Sequence, residues 1–122
     1  MVKAIGILAI AAIGIVQPAA AQDAELGQKV FKQQCNICHD VAPGRIRVGP
    51  SLFGVVGRRA GAMDGYHYSD ANRSSGITWD PPTLDKYLTD PRGVVPGTKM
   101  TFAGLKNDEQ RRSLIDYLAT LH

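Results

Sequence analysis

Cys35-Asn36-Ile37-Cys38-His39 is the segment whose residue types and spacing could do chemistry. Two thiols at this spacing, followed at once by an imidazole, match the attachment signature of c-type haem. At the end of a helix, both thiols can reach the two vinyl groups on one haem edge. The next side chain then presents its imidazole to the iron from the same side. Thioether bonds make such a cofactor permanent. Other chemistries fit these residues less well. A thiol redox site needs a thioredoxin-like strand–helix framework, and none is visible. A zinc site needs more ligands, and only His67 and His122 remain. A disulfide would close a tiny loop and constrain little.

Iron bound by His39 has one further axial position, and soft donors are few. Met1 would leave with an N-terminal leader, Met63 lies in a Gly-flanked loop, and Met100 follows Pro96-Gly97-Thr98-Lys99. A lone Met is commonly core filler. Distance along the chain from Cys35 favours Met100, whose loop can approach the opposite haem face.

These residues need elements to position them. Leu26, Val30 and Phe31 form one stripe of a helix expected over Ala24–Gln34, which delivers Cys35 at its end. Ser69 can cap a short helix ending at Gly76. Asp80-Pro81 starts another that Pro91 stops. Asn107, with Gln110 at the capping-box position, starts the last. There Leu114, Tyr117, Leu118 and Leu121 point inward, while Arg111, Arg112 and Asp116 are expected outward. No strand pattern emerges, so the expected class is all-α. From Asp40 to His67 no periodic element is visible. A stretch this long without structure is unusual in a compact domain, unless the chain wraps a non-protein object. The small aromatic inventory points the same way, and such a chain is expected to fold only around its cofactor.

Residues 1–21 read as a cleavable secretory leader. Lys3 gives the positive start, Ala4 to Val16 the apolar run, and Ala19-Ala20-Ala21 the small residues before the cut. The apolar run is short for a membrane helix. The domain is then expected over 22–122, in the periplasm, where c-type haem is attached. The full chain has 122 residues and a net charge of +3. This is one small domain, too mildly basic to suggest a nucleic-acid partner.

The chain resembles the class I cytochromes c, of the mitochondrial type and its bacterial cytochrome c-two relatives. The matching runs, besides CNICH, are Gly27 to Phe31, Gly49-Pro50, Gly57-Arg58, Tyr68-Ser69-Asp70-Ala71-Asn72, Gly76-Ile77-Thr78-Trp79, Tyr87-Leu88, Asp90-Pro91 and Pro96-Gly97-Thr98-Lys99-Met100 with Phe102-Ala103-Gly104. They span Ala24 to Leu121 in order. The resemblance implies one covalent haem c on Cys35 and Cys38, with His39 and Met100 as the iron ligands. It implies that the Pro50 carbonyl accepts from the His39 imidazole. Trp79, Arg58 and Tyr68 correspond to partners of the haem propionates. Asn72, Tyr87 and Thr98 correspond to a buried polar network beside the haem. Gly27, Phe31, Leu114 and Tyr117 correspond to the packing of the terminal helices. The implied function is one-electron transfer by a monomeric carrier, not enzymatic turnover, between larger membrane-bound or soluble redox proteins that dock at the haem edge. Its setting is a respiratory or photosynthetic chain. Arg45 and Arg47 stand where mitochondrial members are Lys-rich, and Asp108 to Arg112 differ in charge order. Both departures bear on the choice of partner.

Overall fold

The computed structural model describes residues 1–2, 6, 9–16 and 19–122. The leader expected over 1–21 therefore lies partly outside the described residues, Lys3 and Pro18 included. The first helix, α1, spans Ala19–Gln34 and so begins before the expected Ala24. Alanine is the best helix former, and Ala19-Ala20-Ala21 extends the helix N-terminally. Among the described residues no helix is long and apolar enough to cross a membrane.

α1 is held by the last helix, α5 (Asp108–Ala119), in the most extensive packing between elements. Its stripe buries Val30 and Phe31. Gly27 sits at the crossing, where a Cβ would strike the Ser113 carbonyl and lie 2.7 Å from the Tyr117 Cβ. Only glycine allows the backbones that close. The Phe31 and Tyr117 rings meet with centroids 5.9 Å apart, and Leu114 is fully buried. The Asn107 side chain accepts from the Gln110 N–H at 2.9 Å, as its capping role requires.

Arg111 corrects an expectation. It lies inward, 7% exposed. Its position shares the stripe of Leu114, Ile115 and Leu118, so periodicity places it inside although its charge suggests the reverse. Burial is tolerated because every edge of the guanidinium finds an acceptor. Nε donates to Asp85 at 2.6 Å, Nη2 to Asp108 at 2.7 Å and Nη1 to the Leu105 carbonyl at 3.0 Å.

Between the terminal helices lie three short ones. α2 is Asp70–Arg73, capped by Ser69, and it stops at Ser74 before the expected Gly76. The Ser75 hydroxyl donates to the Asn72 carbonyl at 2.7 Å, taking an acceptor that a further turn would use. α3 is Pro81–Thr89, with Asp80 accepting from the Thr83 N–H at 2.8 Å and Leu84, Tyr87 and Leu88 buried. α4, Pro91–Val94, was not expected from the sequence. Asp90-Pro91 repeats the Asp80-Pro81 device: Pro91 ends one helix and occupies the first turn of the next, while Asp90 caps Gly93 N–H at 3.1 Å.

No helix falls within 40–67, as expected. This stretch is anchored piecewise by its backbone. Gly49 N–H reaches the Cys38 carbonyl, Leu52 reaches Asp40, Gly54 reaches Leu121 and Gly57 reaches Trp79. An isolated bridge pairs Arg59 with Thr78. The core joins Val30, Phe31, Trp79, Leu84, Tyr87, Leu88, Val95, Leu105, Leu114 and Leu118, and both Cys35 and Met100 pack against it.

Candidate functional site

Helix α1 ends in a tightened turn at the cysteines. Cys35 and Asn36 both bond back to the Phe31 carbonyl, and Cys38 and His39 bond to the Cys35 carbonyl. That turn sets Cys35, Cys38 and His39, all half-buried, on one short segment. The two sulfurs are not joined to each other. Burial, and secondarily the neighbouring Cys38, push the Cys35 thiol up to about 11. A thiol redox catalyst needs the opposite shift, toward thiolate.

His39 is held from two sides. Its Nδ1 lies 2.7 Å from the Pro50 carbonyl oxygen, the partner that the sequence reading assigned to it. Gly49 lies against the ring: a Cβ there would collide with Cε1 and lie 2.7 Å from Nδ1. Burial lowers the imidazole pKa, the Pro50 carbonyl opposes this, and the Arg58 charge lowers it further. The ring is therefore neutral at pH 7. With Nδ1–H donated to Pro50, the free lone pair resides on Nε2, the form that ligates metal. In the sequence Gly49 figures only as part of the Gly49-Pro50 run that carries the family resemblance. Its contact with the ring is a tertiary fact.

Met100 belongs to a second cluster, fed by α3 and the loop after α4. Tyr87 Oη lies 3.2 Å from Thr98 Oγ1 and 3.9 Å from Met100 Sδ, and the Met100 N–H donates to Thr98 Oγ1 at 3.3 Å. One arrangement satisfies all three contacts: Thr98 donates to Tyr87, Tyr87 to the thioether, and the Met100 amide back to Thr98. Burial raises the Tyr87 pKa, against the Thr98 hydrogen bond, so its hydroxyl keeps its proton to donate. Trp79 packs on the Tyr87 ring with centroids 4.7 Å apart. Met63, the rival donor, lies instead in the loop where its amide donates to Tyr68 Oη at 3.3 Å.

The remaining candidates divide by contact. Arg58 is half-buried and turns its guanidinium onto the Ser51 and Phe53 carbonyls at 2.9 and 3.3 Å. Burial lowers its pKa and adjacent Tyr68 raises it, so the two side chains share one neighbourhood. Tyr68 accepts from Met63, which leaves its hydroxyl proton to donate elsewhere. Asn72 presents a buried Oδ1 with no hydrogen-bond partner among the described residues. A buried orphan acceptor is costly in a finished protein interior. Among the described residues no cluster of His, Cys, Asp and Glu could hold a metal ion by itself.

A family model described as cytochrome c matches residues 24–122. The chain belongs to the cytochrome c family. It is 55% identical over 104 residues to cytochrome c2 of Rhodomicrobium vannielii, covering 84% of this chain and 82% of that protein. It is 48% identical over 96 residues to cytochrome c type-1 of Ascaris suum, covering 79% of this chain and 86% of that one. Cytochrome cH from Methylobacterium extorquens superposes with a TM-score of 0.76 at 45% identity, covering 80% of this chain and 98% of that structure. Family membership makes the chain a single-haem electron-transfer protein with covalently bound haem c. The residues present fit that group. A neutral His39 imidazole and the soft Met100 thioether are donors that would hold its iron. Cys35 and Cys38 are not joined to each other and so are free for two thioether bonds, and the buried Asn72 Oδ1 is an acceptor that a bound group could satisfy.

Proposed function

We propose that Cys35 and Cys38 hold the haem, that His39 and Met100 are its axial ligands, and that the protein works in the periplasm after a leader over residues 1–21 is removed. The observation that carries the reading is the Pro50–His39 hydrogen bond at the end of the CNICH turn. It fixes the imidazole tautomer beside the thiols, a second contact typical of metal-bound histidine. Haem held by these residues would supply one-electron chemistry. Every other task falls to the chain. Pro50 and Gly49 orient the imidazole. Thr98 and Tyr87 orient the thioether, a neutral soft donor that favours ferrous iron. Trp79, Leu88, Val95 and Leu105 keep water out and disfavour the extra ferric charge. Arg58, Tyr68 and Trp79 offer cationic and polar hydrogen to the propionates. Asn72 contributes to the polar network beside the ring.

The docking surface in this reading is the side of the attachment turn. Ile37, between the two cysteines, is 78% exposed, and Val48 is 72% exposed. Arg47 crosses this surface, with Nη1 donating to the Asn36 carbonyl at 2.6 Å. Exposed apolar side chains crossed by Arg47, with Arg45 in the same loop and Lys32 near the end of α1, suit brief contact with an acidic redox partner. The protein works as a monomer, because a carrier that alternates between donor and acceptor must expose this one face to each.

Two measurements on the exported protein test the assignment. Its mass should equal the chain from Gln22 plus one haem, and Cys35→Ser/Cys38→Ser should yield none. The ferric protein should show the weak far-red band of thioether-ligated iron. A bare-chain mass would refute the attachment, and a missing band would refute Met100 as the ligand.

A further inference from the structure

We propose that Arg47 is a positioning residue of the attachment turn: its guanidinium closes the carbonyl end of α1 and fixes a positive charge there, which favours the ferrous state. The inference rests on the reading that Cys35, Cys38 and His39 hold the haem. Helix α1 ends at Gln34, and the turn that follows carries both thiols and the imidazole. A helix leaves its last carbonyls without partners and carries about half a negative charge at that end. In this turn every carbonyl from Cys35 to Cys38 is nevertheless met. The Cys35 carbonyl accepts from the Cys38 and His39 amides at 3.1 and 3.0 Å, within the turn itself. The next three accept from 47–49. Arg47 Nη1 donates to the Asn36 carbonyl at 2.6 Å, and Nη2 reaches the Ile37 carbonyl in a longer contact of 3.5 Å. Gly49 N–H donates to the Cys38 carbonyl at 2.8 Å. The Arg47 amide bonds to the Gly49 carbonyl at 3.1 Å, which folds this segment back on itself and aims the side chain at the turn.

Arginine suits this place better than lysine. Its planar fork can meet two successive carbonyls, whereas lysine offers a single point charge. Arg45, in the same loop, does not share the role, because its Nε pairs with Asp40 at 3.3 Å. Among the described residues no carboxylate forms an ion pair with Arg47, so its charge is spent on the turn alone. Oxidation would add one positive charge to the site. A bare helix end favours that added charge, and a cation held at the same end opposes it. Removing the guanidinium would uncover two carbonyls and withdraw the cation, and both changes lower the reduction potential.

The test is potentiometry of the haem-loaded protein without a redox partner, so that docking plays no part in the result. Arg47→Gln should shift the equilibrium toward ferric roughly twofold to fivefold, which lowers the potential by about 20–40 mV at 59 mV per tenfold. Arg47→Lys, which keeps a donor cation at the turn, should recover most of that shift. Arg112→Gln removes the same charge from the surface of α5 and should leave the potential at the wild-type value. The far-red band should persist in Arg47→Gln; its loss would assign the fall to the thioether and overturn the proposal. A wild-type potential in Arg47→Gln, an equal fall in Arg112→Gln, or no recovery in Arg47→Lys would also overturn the role of Arg47 and leave the attachment reading standing. A wild-type protein whose mass shows no haem would overturn both together.

Discussion

The two sulfur-bearing candidates for the sixth ligand, Met63 and Met100, differ in what surrounds them. Met100 Sδ sits beside a buried hydroxyl whose proton is held by burial, and its own amide closes the circuit through Thr98. For Met63 the corresponding tie is a backbone amide to Tyr68. A soft neutral donor favours ferrous iron, and each tenfold loss of that preference lowers a one-electron potential by about 59 mV. Met100→Ala should therefore drop the potential by on the order of 100 mV and admit cyanide faster, while Met63→Ala leaves both near wild type. Potentiometry and cyanide-binding kinetics check this. The reverse pattern would transfer the ligand role to Met63.

Helix termini do for the elements what the hydroxyl circuit does for the ligand. Asp80 caps α3, the helix that carries Tyr87 to Met100 and Leu88 to the core. Its carboxylate pKa lies below the usual value because Thr83 donates to the charged form, chiefly through its side chain and then its backbone. A carboxyl depressed on folding stabilises above the unfolded pKa, about 3.9, and loses that contribution as pH falls through the folded value below it. Asp80→Asn retains an acceptor but not the charge. Urea unfolding should find the variant less stable than wild type from about pH 5 to 8, with the gap closing below about pH 4. A gap that widens in acid would mean the carboxylate is not the stabilising form.

For the whole molecule, local charge matters more than total charge. Net charge is only +3 over the full chain, and Lys3 lies in the expected leader. Cations nevertheless gather near the attachment turn. Arg47 bonds to its backbone, and Arg45, at 3.3 Å, pairs with Asp40, one of the few acids nearby. On α5, by contrast, Arg111 is consumed by Asp85 and Asp108, and Arg112 shares a surface with Glu109 and Asp116. Charge steering can raise encounter rates by roughly tenfold to a thousandfold and is screened beyond about 10 Å at 0.1 M salt. Electron transfer to an acidic partner should therefore slow as salt rises, measured by stopped-flow oxidation of the reduced protein. Lys32→Glu should slow it at low salt, and Arg112→Glu should matter less. Equal effects from both would move the docking face elsewhere.

Local sequence determined the parts of this protein that depend on short-range geometry. CNICH reads as a haem-attachment segment because a single turn keeps two thiols and an imidazole together. Asp80-Pro81, Ser69 and Asn107 mark helix starts because a cap and its target amides are neighbours in the chain. Asp90-Pro91 carried the same signal for α4, masked by its reading as a stop. Composition alone also disclosed that the stretch over 40–67 lacked an element of its own. Other features were legible only through the family resemblance, such as Pro50 behind His39 and Tyr87 with Thr98 beside Met100. Those partners are distant in sequence, so no local pattern links them. Tertiary structure alone decided the rest. The stripe of α5 turns Arg111 inward, but its burial as a charge depends on the Asp85 carboxylate that α3 brings to it. Gly49 must be glycine because an imidazole from another part of the chain occupies the space of its Cβ. Tyr66 reads as an ordinary loop aromatic until folding brings Val48 to its hydroxyl and Lys99 to its face. In each case the deciding contact joins residues that chain order keeps apart, and only long-range packing supplies it.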